Sequence, residues 1–293
     1  MSGRVALPVL VGVDGSPASA AAVDLAADEA ANRATPLVIV HVHAGPLRSS
    51  TGACAPEWVD PMAAQRWLVD MTVAGVRAEH PGLAVSGELL SGDPARVLAD
   101  RSSEACLLVL GHRRGCGLPL ASVATSVPEW ADVPVIVHRP LDRHLGPSRD
   151  PRPVLVGVSG QEGAGSVVEF AFVEASLRGA PLTALHAWSR PAGAIPAGVH
   201  PDAYGFVEAR AEAERMLAEA LAGWSEKFPD VPVRRTVRHT LDAALTLTEA
   251  SRSAQLVVVG SPRQRGVPRL LFGSVYQALA DHAGCPVAVV PVA

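Results

Sequence analysis

One stretch of this chain is written twice. Pro8-Val9-Leu10-Val11-Gly12-Val13-Asp14-Gly15 returns as Pro153-Val154-Leu155-Val156-Gly157-Val158-Ser159-Gly160. Pro36-Leu37 returns as Pro181-Leu182 and His41 as His186, all at one offset of 145 residues. The closing segments correspond as well, Val133-Pro134-Val135-Ile136-Val137 with Cys285-Pro286-Val287-Ala288-Val289. A period this long marks a duplicated domain, not a solenoid unit of roughly 20–50 residues. Any site is therefore expected in two copies, and the differences between them show what each has kept.

The 293 residues suit two domains, each able to bury its own core. The boundaries are read as a first domain over 1–142, a proline-rich charged linker over 143–152 and a second domain over 153–293. In each half, short Val/Leu/Ile runs alternate with longer Ala/Glu/Arg stretches. Continuous apolar runs without period-two alternation predict strands covered on both faces. Five fall in the first half, at 8–13, 36–42, 84–90, 106–110 and 133–138. Five more fall at 153–158, 181–187, 232–238, 255–259 and 286–291. Ser16-Pro17 and Asp93-Pro94 each read as a cap followed by a first-turn proline. Within 204–224, Phe206, Ala209, Ala213, Met216, Leu217 and Ala220 recur at helical spacing and predict a core-facing stripe. Strands alternating with helices imply right-handed crossovers. The expected fold is α/β, two doubly wound domains with five-stranded parallel sheets. Segments 43–61 and 188–203, each after a second strand, are long enough to act as lids.

Composition excludes several classes. Residues 1–145 carry 11 basic and 15 acidic side chains and the remainder carry 14 of each, so neither half is basic enough to track nucleic acid. No apolar run reaches the length of a membrane span and no signal pattern opens the chain, so a soluble cytoplasmic protein is expected. Cys54, Cys106, Cys116 and Cys285 lack ligand or disulfide spacing and read as reduced thiols, and no metal site is expected. Nearly all positive charge is arginine, Lys227 being the one lysine.

In a doubly wound sheet, ligands sit at the carboxyl ends of strands where the strand order reverses. Two features fall there. One is the Asp14-Gly15-Ser16 turn. The other is the loop after the fourth strand, which in the second half runs from Gly260 through Arg263, Arg265 and Arg269 to Gly273-Ser274. Amides at a helix N-terminus cradle phosphate, although the same residues also serve as a plain helix entry with Ser274 as cap. His41 and His186 read as structural strand-end residues. His112 lies inside the loop and is expected to be exposed. The glycine loop lacks the Gly-Lys-Ser/Thr ending of a Walker motif, and no nucleophile elbow is present.

These residues together resemble the universal stress protein family in its tandem form. The resemblance rests on Val11-Gly12-Val13-Asp14-Gly15-Ser16, His41 and His186, the Gly260…Gly273-Ser274-Val275 loop and Cys285-Pro286-Val287. It covers nearly the whole chain. It implies strand order 3-2-1-4-5, pseudo-twofold pairing of the domains, dimerisation through the last strand and an ATP pocket in each domain, with the need for magnesium left open. Nucleotide-binding members carry Gly-x2-Gly-x9-Gly-Ser/Thr. Carried over, the first site comprises Gly12, Asp14, Val42, Gly111, His112 and Ser122. The second comprises Gly157, Ala187, Gly260, Arg263, Gly273 and Ser274.

Both halves depart from the pattern. In the second, Ser159 stands for the aspartate and Arg263 for the middle glycine, at a cost of about 1 kcal/mol if that position needs positive φ. In the first, Asp14 is intact, but Gly111 to Ala121 spans 10 positions against 13 from Gly260 to Gly273, and Ala121 replaces the last glycine. Three functions stay open at this point: a nucleotide-gated stress-response regulator, a nucleotide-free interaction scaffold, and a slow ATP hydrolase.

Overall fold

The computed structural model describes residues 6–44, 62–112, 122–140, 152–160, 164–189, 204–262 and 275–292. The chain divides into two compact units, Met1–Pro140 and Leu141–Ala293. The first contains β1 (Val9–Gly12), α1 (Pro17–Asn32), β2 (Leu37–His43), α2 (Ala63–Glu79), β3 (Val85–Ser91), α3 (Pro94–Ser102), β4 (Leu107–Gly111), α4 (Val123–Ser126) and β5 (Val135–His138). The second contains β6 (Val154–Gly157), α5 (Ala164–Leu177), β7 (Leu182–Trp188), α6 (Tyr204–Ala220), α7 (Trp224–Lys227), β8 (Val233–His239), α8 (Ala243–Ser251), β9 (Leu256–Pro262), α9 (Val275–His282) and β10 (Val287–Val292).

Within the first unit the strand order is β3-β2-β1-β4-β5, and within the second it is the equivalent β8-β7-β6-β9-β10. Every pairing inside each unit is parallel. The expected doubly wound architecture is therefore present twice. The central strands are apolar because they are covered on both faces: Val9, Leu10 and Val11 are fully buried, as are Leu107, Leu108 and Val109 beside them.

Helix α1 begins where its sequence places it. Ser16 accepts a hydrogen bond from Ser19 N, and Pro17 occupies the first turn, where a missing N–H costs nothing. Asp93 caps α3 in the same way, accepting from Arg96 N at 2.9 Å. Helix α1 packs through alanines four apart, Ala18, Ala22, Ala26 and Ala30, all buried. Small side chains let it lie close to the sheet. A Cβ on Gly111 would fall 2.4 Å from the carbonyl oxygen of Ala18, so this strand end must be glycine.

The repeat extends to buried charge. Glu29 and Glu174 are almost completely buried, and each pairs with the arginine four residues on, Arg33 and Arg178. The cores differ elsewhere. Phe172 is fully buried and stacks on Trp224 and Phe228 at 5.8 and 5.6 Å between ring centroids. Ala27 stands at the matching position of the first unit.

Of the predicted stripe on α6, Ala213 and Leu217 are buried, but Phe206 is 39% exposed. The correction has a local cause: Phe206 lies in the first turn of α6 and packs on Trp188 and His239 at the strand ends instead of on the sheet's interior. The two lid expectations lie largely outside the described residues, which omit 45–61 and 190–203.

Candidate functional site

The carboxyl ends of β1, β2 and β4 meet around one turn in the first unit. Asp14 is exposed there and accepts from Ser16 N at 2.9 Å, closing a local Asx-type turn. Gly15 between them has φ of 77°, the left-handed region where a side chain is strained. Ser19 reaches back from α1: its hydroxyl donates to Ser16 O at 2.9 Å and lies 3.4 Å from Asp14 N. His41, at the end of β2, donates from Nδ1 to Val13 O at 2.7 Å. That bond places the proton of a neutral ring on Nδ1 and leaves Nε2 as an acceptor. The turn is thus fixed from the helix by Ser19 and from the sheet by His41. His41 is a brace, as the repeat suggested; the Ser19 contacts were not read from sequence, where only a small polar residue near the cap signals them.

The end of β4 forms the other wall. Gly12 is paired in register with Leu110, so the first strand and the loop-bearing strand end side by side. Beyond Gly111, His112 donates its backbone N–H to His138 O at 2.7 Å. Its side chain is 4% exposed, which corrects the expectation of a surface histidine. The cause is this continuation of β4 pairing, which turns His112 inward, and Ser122 Oγ lies 3.4 Å from its Nδ1. Ser122 also caps α4, accepting from Thr125 N at 3.2 Å. Val42 is half-buried next to His41.

The second unit repeats the brace and not the carboxylate. His186 Nδ1 donates to Val158 O at 2.8 Å. Ser159 and Gly160 are exposed where Asp14 and Gly15 stand in the first copy, and Gly160 lies outside the left-handed region. Ala187 packs against the core that contains Leu185 and Leu247. The nearest atoms to a Cβ on Gly157 would be Leu247 and Val259 side chains at 3.1 Å or more. On Gly260 it would meet Val292 and Val167 side chains at 2.8 and 3.1 Å, a softer clash than the backbone contact at Gly111. Arg263, Gly273 and Ser274 lie outside the described residues.

Away from this turn, burial tunes several titratable groups. Desolvation pushes the Cys285 thiol up to about 12 and raises Cys106 as well, so neither is a thiolate at neutral pH. Burial lowers His138, with Asp24 opposing. Among the described residues, no three His, Cys, Asp or Glu gather as a metal site, and no helix is long and apolar enough to cross a membrane.

Comparison with known proteins agrees with this geometry. The profile of the universal stress protein family matches residues 7–139 and again 151–291. The chain belongs to the universal stress protein family. A universal stress protein of Mycolicibacterium smegmatis is 38% identical over 294 residues, covering 96% of each chain. One from Mycobacterium tuberculosis is 35% identical over 309 residues, covering 98% of this chain and 97% of its own. Among solved structures, a universal stress protein from Archaeoglobus fulgidus superposes with a TM-score of 0.68 at 16% identity, covering 99% of this chain and 98% of its own. The family fold thus occurs twice in tandem here.

Proposed function

We propose that this chain is a stress-response regulator whose first unit binds an adenine nucleotide at the carboxyl ends of β1 and β4, without substantial chemistry of its own. In this reading Asp14 is the nucleoside anchor, its carboxylate accepting from ribose hydroxyls. Val42 borders the base, and Gly111, His112 and Ser122 border the phosphates. The observation that carries the reading is the Asp14 turn: an exposed carboxylate beside a left-handed glycine, braced by Ser19 and His41 at the carboxyl edge of a parallel sheet. The second copy carries Ser159 at this position, so a carboxylate is not common to both repeats.

A bound nucleotide acts on such a protein only through different affinities for two of its states. Titration calorimetry of the full chain with ATP, AMP and cyclic AMP tests the site. Saturable heat is expected, weakened about tenfold or more by Asp14→Ala through loss of a charged hydrogen bond. Absence of heat at millimolar nucleotide ends the proposal.

The second unit supports the scaffold reading for its own half. Ser159 offers no carboxylate and Gly160 lies outside the left-handed region. Binding gained by Arg263→Gly where the parent has none supports the scaffold, and tight binding by the parent's second unit excludes it. The hydrolase reading requires phosphate release that Asp14→Ala abolishes.

A further inference from the structure

The second unit contains an open groove of about 660 Å³ between β8 and α8, away from the Asp14-type turn. Its floor is Leu155 and Leu185, and its sheet-side wall is Arg234, Thr236 and Arg238. These three alternate along β8, so they share one face, and the two arginines stand about 13 Å apart at the backbone. Both are exposed, and neither has a carboxylate partner among the described residues. The helix-side wall carries Thr246, Glu249 and Ser253.

The first unit shows why the groove exists. Val85 pairs with Leu37 as Val233 pairs with Leu182, so Glu88 occupies the place of Thr236. Counting from the capping residues Asp93 and Asp242, Arg101 occupies the place of Ala250. There Arg101 grips Glu88 with a two-pronged pair, Nη2 to Oε1 at 2.7 Å and Nε to Oε2 at 3.0 Å, joining β3 to α3. Replacing that pair with Thr236 and Ala250 opens the space. Ser86 and Leu90 meanwhile become Arg234 and Arg238.

Charge on an edge strand also discourages strand addition by other chains. That accounts for arginines on β8. It does not account for removal of the ion pair behind them, or for a concave wall of hydroxyls opposite. The volume falls within the range of small-molecule sites and far exceeds an inorganic ion.

We propose that this groove binds a small phosphorylated polyol. Guanidinium forks match phosphate oxygens in geometry and charge. Glu249 repels anionic groups on the α8 side but accepts from hydroxyls, and the threonine and serine hydroxyls pair with the same groups. The ligand is therefore anionic toward β8 and hydroxylated toward α8. The site is independent of the nucleotide reading, since no residue is shared.

The test is calorimetry of the full chain with a hexose bisphosphate as probe and inorganic phosphate as control. Saturable binding of the bisphosphate is expected, at least about tenfold tighter than inorganic phosphate. Arg234→Gln with Arg238→Gln should weaken it at least about tenfold. Thr236→Glu with Ala250→Arg, which rebuilds the first unit's ion pair, should abolish it, with melting curves checking that the variants fold. Asp14→Ala should leave it unchanged. The proposal is overturned if the parent shows no saturable heat, if inorganic phosphate binds equally well, if binding survives both double variants, or if Asp14→Ala removes it.

Discussion

At the end of the first helix of each unit, Glu29–Arg33 and Glu174–Arg178 make one ion pair at the 145-residue offset. At the start of the same helices, the turns differ: Asp14 with left-handed Gly15 in one copy, Ser159 with Gly160 outside that region in the other. The difference follows from environment. A buried carboxylate stripped of its cation is an uncompensated charge in low dielectric, so neither partner drifts alone. An exposed carboxylate in a turn has water as an alternative partner, so the fold tolerates its replacement more readily. What stays identical in the two copies is thus what folding needs, and what differs is open to function.

The most severe test of that comparison targets the buried pairs. Arg33→Ala and Arg178→Ala should each destabilise the protein by about 3–5 kcal/mol, because each takes the cation from a nearly inaccessible glutamate. Denaturant unfolding followed by tryptophan fluorescence reads the loss. A cost below about 1 kcal/mol in either copy would show that the pair is dispensable and that its repetition carries no folding constraint.

A smaller effect separates packing from ligand binding at the fourth-strand glycines. Gly111→Ala places a Cβ 2.4 Å from Ala18 O, which belongs to the backbone of α1 and cannot swing aside. Gly260→Ala meets Val292 and Val167 methyls, which can rotate. Overpacking of the first kind costs about 1–3 kcal/mol, and the second substitution should cost less. Equal costs in thermal melts would mean that the two glycines serve one role, with no asymmetry between the copies.

The fold was legible because its signals are local or repeated. Each of the ten apolar runs became a strand within two or three residues of its expected ends. The central strands are buried on both faces and have no polar alternation to confuse them, whereas β3 and β8 expose several side chains. Ser16 and Asp93 were legible as caps because a cap is a contact within three residues. The site was less legible. His112 is buried because its backbone continues the ladder to His138, a contact between residues 26 positions apart that loop composition does not encode. Gly111 reads as a phosphate-loop glycine in sequence, and what sequence does not report is that the first turn of α1 packs against it. Phe206 obeys helical periodicity, but periodicity does not report that the first turn of α6 meets Trp188 and His239 at the strand ends.

The mildest test concerns the last strands. Aligned through Val133–Val137 and Cys285–Val289, His138 of the first unit corresponds to Val290 of the second, which is 3% exposed. His138 Nδ1 is buried without a hydrogen-bond partner, and burial lowers the pKa of the ring below its ordinary value of 6.5, with Asp24 opposing. The unfolded chain therefore takes up this proton at a higher pH than the folded one. Stability is full above about pH 6.5 and falls as pH drops through that value toward the lowered folded pKa, with a slope of at most about 1.4 kcal/mol per pH unit from this group. His138→Val copies the second unit, removes both the titration and the unpaired nitrogen, and should flatten the acid limb of a stability–pH curve. A parent and variant with parallel acid limbs would place the acid sensitivity elsewhere and remove His138 from the differences that matter between the two copies.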